Sequence, residues 1–96
     1  MKVELDSKVY TDLLEIMEYY DGEGGPELAA DFYAQFRLYA KAAGERPYSF
    51  PKAGGLRRVN LPKFSHHFLF QIVDDEIVRI LIVKHDRRHP ALGLDR

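Results

Sequence analysis

HFLFQIVDDEIVRILIVK, residues 67–84, is the stretch on which the fold turns. His67 to Val73 is rich in aromatic and β-branched residues, and Ile77 to Lys84 is almost continuously apolar. Asp74-Asp75 between them offers a tight connection, so the two runs read as a β-hairpin. The apolarity of the second run predicts a central strand covered for much of its length. With a two-residue turn, Phe68, Phe70, Ile72, Ile77, Leu81 and Val83 share one face, with Arg79 near the open end. Leu69, Val73, Val78, Ile80 and Ile82 fall on the other face, with His67, Gln71 and Lys84. The first face is the expected seat for helices. The second, of mixed polarity, is left for a partner or a substrate. A three-residue turn would reverse this parity.

Working outward, Leu56 to Leu61 is a further strand, closed by Pro62. Glu45 to Gly55 carries Pro47, Pro51 and two adjacent glycines and reads as loop. Upstream the apolar period lengthens. Val9, Leu13, Ile16, Met17 and Tyr20 form one helical face over residues 7–21, with Asp6 or Ser7 as the N-cap. Asp12, Glu15 and Glu18 lie between these positions and read as solvated. Gly22-Glu23-Gly24-Gly25-Pro26 breaks the helix, and Pro26 suits the first turn of a second. Ala29, Phe32, Tyr33, Phe36, Ala40 and Ala43 then make its apolar stripe, with Gly44 as a left-handed cap. Residues 2–5 form a short opening strand. The expected order is β-α-α-β-β-β: a single α+β domain over residues 1–96, with a helical hairpin layered on a sheet.

The chain has no cysteine, which excludes disulfides, thiolate metal sites and cysteine nucleophiles and suits a reducing cytosol. Its charged opening residues do not form a signal-peptide core, and no run is long enough for a membrane span. A cytoplasmic protein without membrane contact is expected. Net charge is −1, but it is unevenly placed. Residues 1–36 hold two Lys against nine acids, whereas residues 37–96 hold twelve Lys/Arg against six acids and all four His. Such asymmetry hints at a surface for polyanions, or simply at acidic helices beside a basic sheet.

The densest cationic stretch is His85-Asp86-Arg87-Arg88-His89-Pro90, joined by Arg57, Arg58 and Lys63. An Arg fork binds phosphate through paired hydrogen bonds, and His can move protons near neutrality. Clustered on a sheet, such residues suit phosphodiester binding or RNA cleavage. Arg57 and Arg58 taken alone, and His66-His67, read more readily as ordinary surface and strand positions, whereas the density of the His85–Pro90 stretch favours a functional role. His66 and His67 alternate in facing and no carboxylate pair stands at ligand spacing, so neither a metal nor a cofactor is expected.

The short first strand, the αα-hairpin and Leu56-Arg57-Arg58 ahead of a strand together resemble the RelE/ParE toxin superfamily, whose members include plasmid stabilisation proteins. So do Lys63-Phe64 before an aromatic strand, Asp74-Asp75, and an apolar strand ending in His85-x-Arg87-Arg88. The resemblance implies a two-layer fold with a curved antiparallel sheet and a toxin neutralised by a cognate antitoxin of a type II system. Operator DNA would be reached only through that antitoxin. It also implies one of two targets. RelE-like members cut mRNA in the ribosomal A site without metal, and ParE-like members inhibit DNA gyrase non-enzymatically.

Carried over by position, Arg58 stands at one of the two basic positions of the nuclease strand and Asn60 at the other. His67 replaces an Arg early in the next strand, and Arg87 matches the basic residue past the last strand. No Tyr follows Tyr48, although many nucleases use one in the tail. The candidate site is therefore Arg58, His67, His85, Arg87 and Arg88, the arginines holding a phosphate and either His moving a proton. A gyrase inhibitor, or an inactive member kept for antitoxin and operator binding, remains the alternative. The expected antitoxin segment is an acid-rich helix or arm docked on the basic sheet or across the helices.

Overall fold

A computed structural model describes residues 1–87 of the chain. Strand β1 (Lys2–Leu5) leads into α1 (Ser7–Gly24) and α2 (Pro26–Glu45). A 3-10 turn (Pro47–Ser49) and the strands β2 (Lys52–Ala53), β3 (Leu56–Leu61), β4 (His66–Ile72) and β5 (Ile77–His85) follow. The five strands form one sheet in the order β1-β5-β4-β3-β2, and both helices pack on one side of it.

The sheet is mixed, not antiparallel throughout. β1 runs parallel to β5, pairing Lys2 with Ile77 and Leu5 with Ile80, because the helical hairpin carries the chain back before β5 is laid beside it. The expected loop also contributes β2, which pairs with Leu56 and Arg57 through Gly54 in the left-handed region (φ 69°).

α1 starts where Asp6 Oδ1 accepts the Lys8 N–H at 3.0 Å. Gly22 and Gly24 do not stop it. The break is Gly25 alone, at φ 85° and ψ −180°, a backbone conformation open in practice to glycine only. One residue, rather than five, therefore joins the helices.

Gly44 is likewise not a left-handed cap but part of the last turn of α2. It is small because β1 crosses it. A Cβ there would lie 2.7 Å from Val3 Cγ2 and 2.8 Å from the Met1 carbonyl oxygen. The Met1 ammonium also donates to the Gly44 carbonyl at 2.7 Å, tying the first residue to the helix end.

The hairpin turn holds three residues, Asp74–Glu76. Asp74 Oδ1 accepts from the Glu76 and Ile77 amides at 2.8 and 3.0 Å, and the Val73 amide closes on Ile77 O. A bulge adds to this shift. Ile72, Gln71 and Phe70 face Val78, Arg79 and Ile80, whereas Leu69 and Phe68 face Ile82 and Val83, leaving Leu81 extra.

The parity of the first part of β5 is consequently opposite to that expected of a two-residue turn. Val78, Ile80 and Val83 join Phe68 and Phe70 beneath the helices, and Ile77, Arg79 and Leu81 turn to the outer face. The core is completed by Val59 and Leu61 from β3 and by Val9, Leu13, Phe32, Phe36, Ala40 and Ala43 from the helices.

Asp12 is buried rather than solvated. β1 ends opposite Ile80, so among the described residues the edge of β5 beyond it has no strand neighbour. The Val83 amide on that edge donates to Asp12 Oδ2 at 2.9 Å, while Oδ1 receives Lys8 Nζ at 3.0 Å. An acid from the helix thus does the work of a missing strand.

Candidate functional site

The outer face of the sheet is built by the register of three strands. Asn60 on β3, His67 on β4 and Lys84 on β5 lie in one row, and Arg58 occupies the same face two residues before Asn60. Past β5 the chain bends. The Asp86 amide donates to Ser65 O at 2.8 Å, which pins that residue against the β3–β4 connection.

The Asp86 side chain then reaches over the row. Its Oδ1 lies 2.7 Å from His67 Nδ1 and 3.5 Å from the Arg58 guanidinium. Arg58 Nε meanwhile donates to Asn60 Oδ1 at 2.8 Å. The His67 side chain is 4% exposed, so it forms the floor, and Arg58 and Asp86 form half-open walls.

Burial pushes the His67 imidazole below its ordinary value, and the Arg58 and Lys84 cations push in the same direction. The bond from Asp86 and its charge act the other way without reversing the shift. His67 in the folded protein is therefore more reluctant to protonate than in the unfolded chain. Between the lowered folded pKa and the ordinary value of about 6.5, the unfolded state binds more protons, so stability falls as pH falls through that window. Urea midpoints of the wild type should decline from about pH 6.5 downward, ahead of general carboxylate titration nearer pH 4, and the early decline should flatten in His67→Gln. Equal slopes in the two proteins would contradict this account.

Of the residues singled out from sequence, the structure brings Arg58 and His67 together and sets His85 apart from them. His85 pairs with His66 across β4 and β5 on the side of the helices, the two rings 5.1 Å apart. His66 is 5% exposed, with the Tyr20 hydroxyl 3.1 Å from its Nδ1 and the rings of Phe32 and Tyr20 against it. Burial raises the Tyr20 hydroxyl pKa, helped by the charges of Tyr19 and Asp86. A cleft of about 260 Å³ opens beside this pair, walled by Glu15, Tyr19 and Lys84.

Arg87 is exposed at the bend, and its amide donates to His85 Nδ1 at 3.1 Å. Arg88 lies outside the described residues. Arg57 turns to the opposite rim, donating to Phe50 O at 2.8 Å with its guanidinium over Tyr48. Among the described residues no group of three or more His, Cys, Asp or Glu stands together as a metal set.

Sequence reasoning missed Asp86 as a site residue, although it lies within the quoted basic stretch. Its contact with His67 spans 19 positions and depends on the bend after β5. Asn60 was seen only as a departure from a pattern, and its role is to hold the Arg58 side chain.

A solved structure described as "Chromosomal ParDE TA system from P. aeruginosa" superposes with a TM-score of 0.77, covering 88% of this chain and 95% of that one at 19% identity. The chain has a RelE/ParE-like fold. No family model matches the sequence, and no curated protein matches it. At this identity the likeness of the RelE/ParE-like fold is one of architecture: two helices on one side of a mixed five-stranded sheet. No helix among the described residues is long and apolar enough to cross a membrane.

Proposed function

We propose that the chain is the toxin of a type II toxin–antitoxin pair, and that it inhibits DNA gyrase by binding rather than cutting mRNA on the ribosome. The fold shared with a ParDE chain supports the first part. The observation that carries the second is the Asp86 carboxylate, which contacts both His67 and the Arg58 guanidinium.

A nuclease of this kind needs an arginine to hold the scissile phosphate and a base within reach of the 2′-hydroxyl. Here the cation at Arg58 is partly neutralised and bonded to Asn60. The imidazole of His67 is nearly shut off from solvent, and its Nδ1 is occupied by Asp86. Asn60 itself stands where the nuclease pattern has a second basic residue. The outer face then serves as a contact surface, with Leu69, Leu81 and Ile82 half-buried between paired charges. A cytoplasmic antitoxin covers the toxin in this reading, apolar contacts supplying most of the affinity and charge the encounter rate.

The test runs two assays side by side on one preparation that arrests growth. Supercoiling by gyrase should fall with added protein, while toe-prints on translating ribosomes show no new A-site ends. A-site cuts that disappear in Arg58→Gln would overturn the reading. Arrest should be relieved by co-expressing the antitoxin encoded beside the gene. Expression without any growth defect would favour instead an inactive member retained for antitoxin and operator binding.

A further inference from the structure

We propose that the open face of α2 is a two-fold interface between copies of this chain, in which two α2 helices pair antiparallel about Ala34. This inference goes beyond the choice of target and does not depend on it. The face in question lies opposite the buried stripe of Ala29, Phe32, Phe36, Ala40 and Ala43.

Glu27, Asp31, Ala34, Leu38 and Lys41 recur on it at alternating steps of four and three, the spacing of a seam between helices, with Ala30 and Arg37 beside them. All seven are exposed. Leu38 leaves 64% of its surface to solvent. It stands as a ridge between two shallow grooves, one walled by Leu28 and Phe64 and the other by Val3 and Ala40.

The order of charges on this face selects the occupant. Glu27 and Asp31 hold its N-terminal half, and Arg37 and Lys41 its C-terminal half. Among the described residues Glu27, Asp31 and Arg37 form no ion pair, and Lys41 has only a 3.9 Å contact with the exposed Glu45 one turn on. Arg37 rests over the Tyr33 ring at 5.9 Å.

A two-fold axis beside Ala34 sets each residue level with the one equally far beyond Ala34 in the second copy. Asp31 comes level with Arg37, Glu27 with Lys41, and the bulk of Leu38 with the methyl group of Ala30. Every match occurs twice, so four complementary charge pairs flank a centre where small Ala34 side chains let the helices close. A parallel pair would set acid against acid. An acid-rich arm would face Glu27 and Asp31 in one half of the face, so a second copy suits its whole length better. One helix pair is a small interface, and weak association is expected.

Sedimentation velocity of the full chain, over a wide range of concentration, reads the association. The wild type should pass from monomer to dimer as concentration rises, and added salt should weaken the dimer. Asp31→Arg and Arg37→Asp should each weaken self-association roughly tenfold or more, since each turns two attractive pairs into repulsive ones. An equimolar mixture of these two variants should associate again, because each supplies the sign that the other lacks. Leu38→Asp should abolish the dimer, and at concentrations where both proteins are monomeric its urea midpoint should stay near that of the wild type. The proposal is overturned if the wild type remains monomeric throughout, if the mixture associates no better than either variant alone, or if a dimer forms that Leu38→Asp leaves intact.

Discussion

Phe68→Ala should cost about 3–5 kcal/mol of folding stability, the range for removing a large aromatic side chain from a closed core. Phe68 is 0% exposed in β4, beneath the helices and edge-on to Phe36 at 5.4 Å. β5 pairs on one side of it and β3 on the other, so its surroundings cannot collapse inward without moving the sheet. Domains of this size are stable by about 5–15 kcal/mol, so the loss removes a large share and can leave the chain partly unfolded at ambient temperature. The comparison is Leu14→Ala on the open side of α1, where the side chain is 71% exposed. That change should stay within roughly 0.5 kcal/mol. Urea midpoints at unchanged slope would measure both. Similar midpoints for the two variants would mean that the helices do not pack on the sheet as described.

The second large effect is expected at Asp12. Removing its carboxylate in Asp12→Ala strands the Val83 amide, which is buried beside α1 and bonded to Asp12, at about 1–3 kcal/mol. The ion pair with Lys8 adds little, because Lys8 is 56% exposed and water replaces its partner. Asp12→Asn separates the two contributions: its side-chain oxygen still accepts from Val83 while the charge is gone, so most of the stability should survive. Amide exchange at Val83 gives a local reading, rising in the alanine variant and staying slow in the asparagine variant. If alanine and asparagine behaved alike, the bond to Val83 would not be what keeps Asp12 buried.

These two residues also mark how far local patterning reaches. Phe68 belongs to a hairpin whose composition was plain, and its burial could be expected from the run of aromatic and β-branched residues around it. Asp12 sits between Val9 and Ile16 on a helix whose stripe was equally plain, yet it read as a solvent residue. What buries it is the early end of β1, a feature of another segment. The faces of the first part of β5, up to Leu81, were misjudged for a similar reason, whereas Ile82, Val83 and Lys84 face as expected. Two hydrogen bonds to Asp74 and one extra residue at Leu81 shift the pairing, and alternation along a strand carries no record of either.

The candidate site divides in the same way. Arg58 and His67 stand on neighbouring strands in phase, and their nearness follows from strand order and alternation. His85 was grouped with them because it lies close to Arg87 along the chain. Its pairing with His66 sends it to the side of the helices.

By itself the amino-acid sequence determined the number and kind of the main elements, the helical hairpin, and a single core made by one face of each. Those properties depend on periodicities of two and 3.6 residues, which a short segment expresses alone. Tertiary structure alone decided that β1 lies parallel beside β5, that Asp12 closes an open edge, and that Asp86 bridges His67 and Arg58. Each of these depends on where a distant stretch of chain ends or turns, and the hydrogen bonds that set it exist only once the layers have come together.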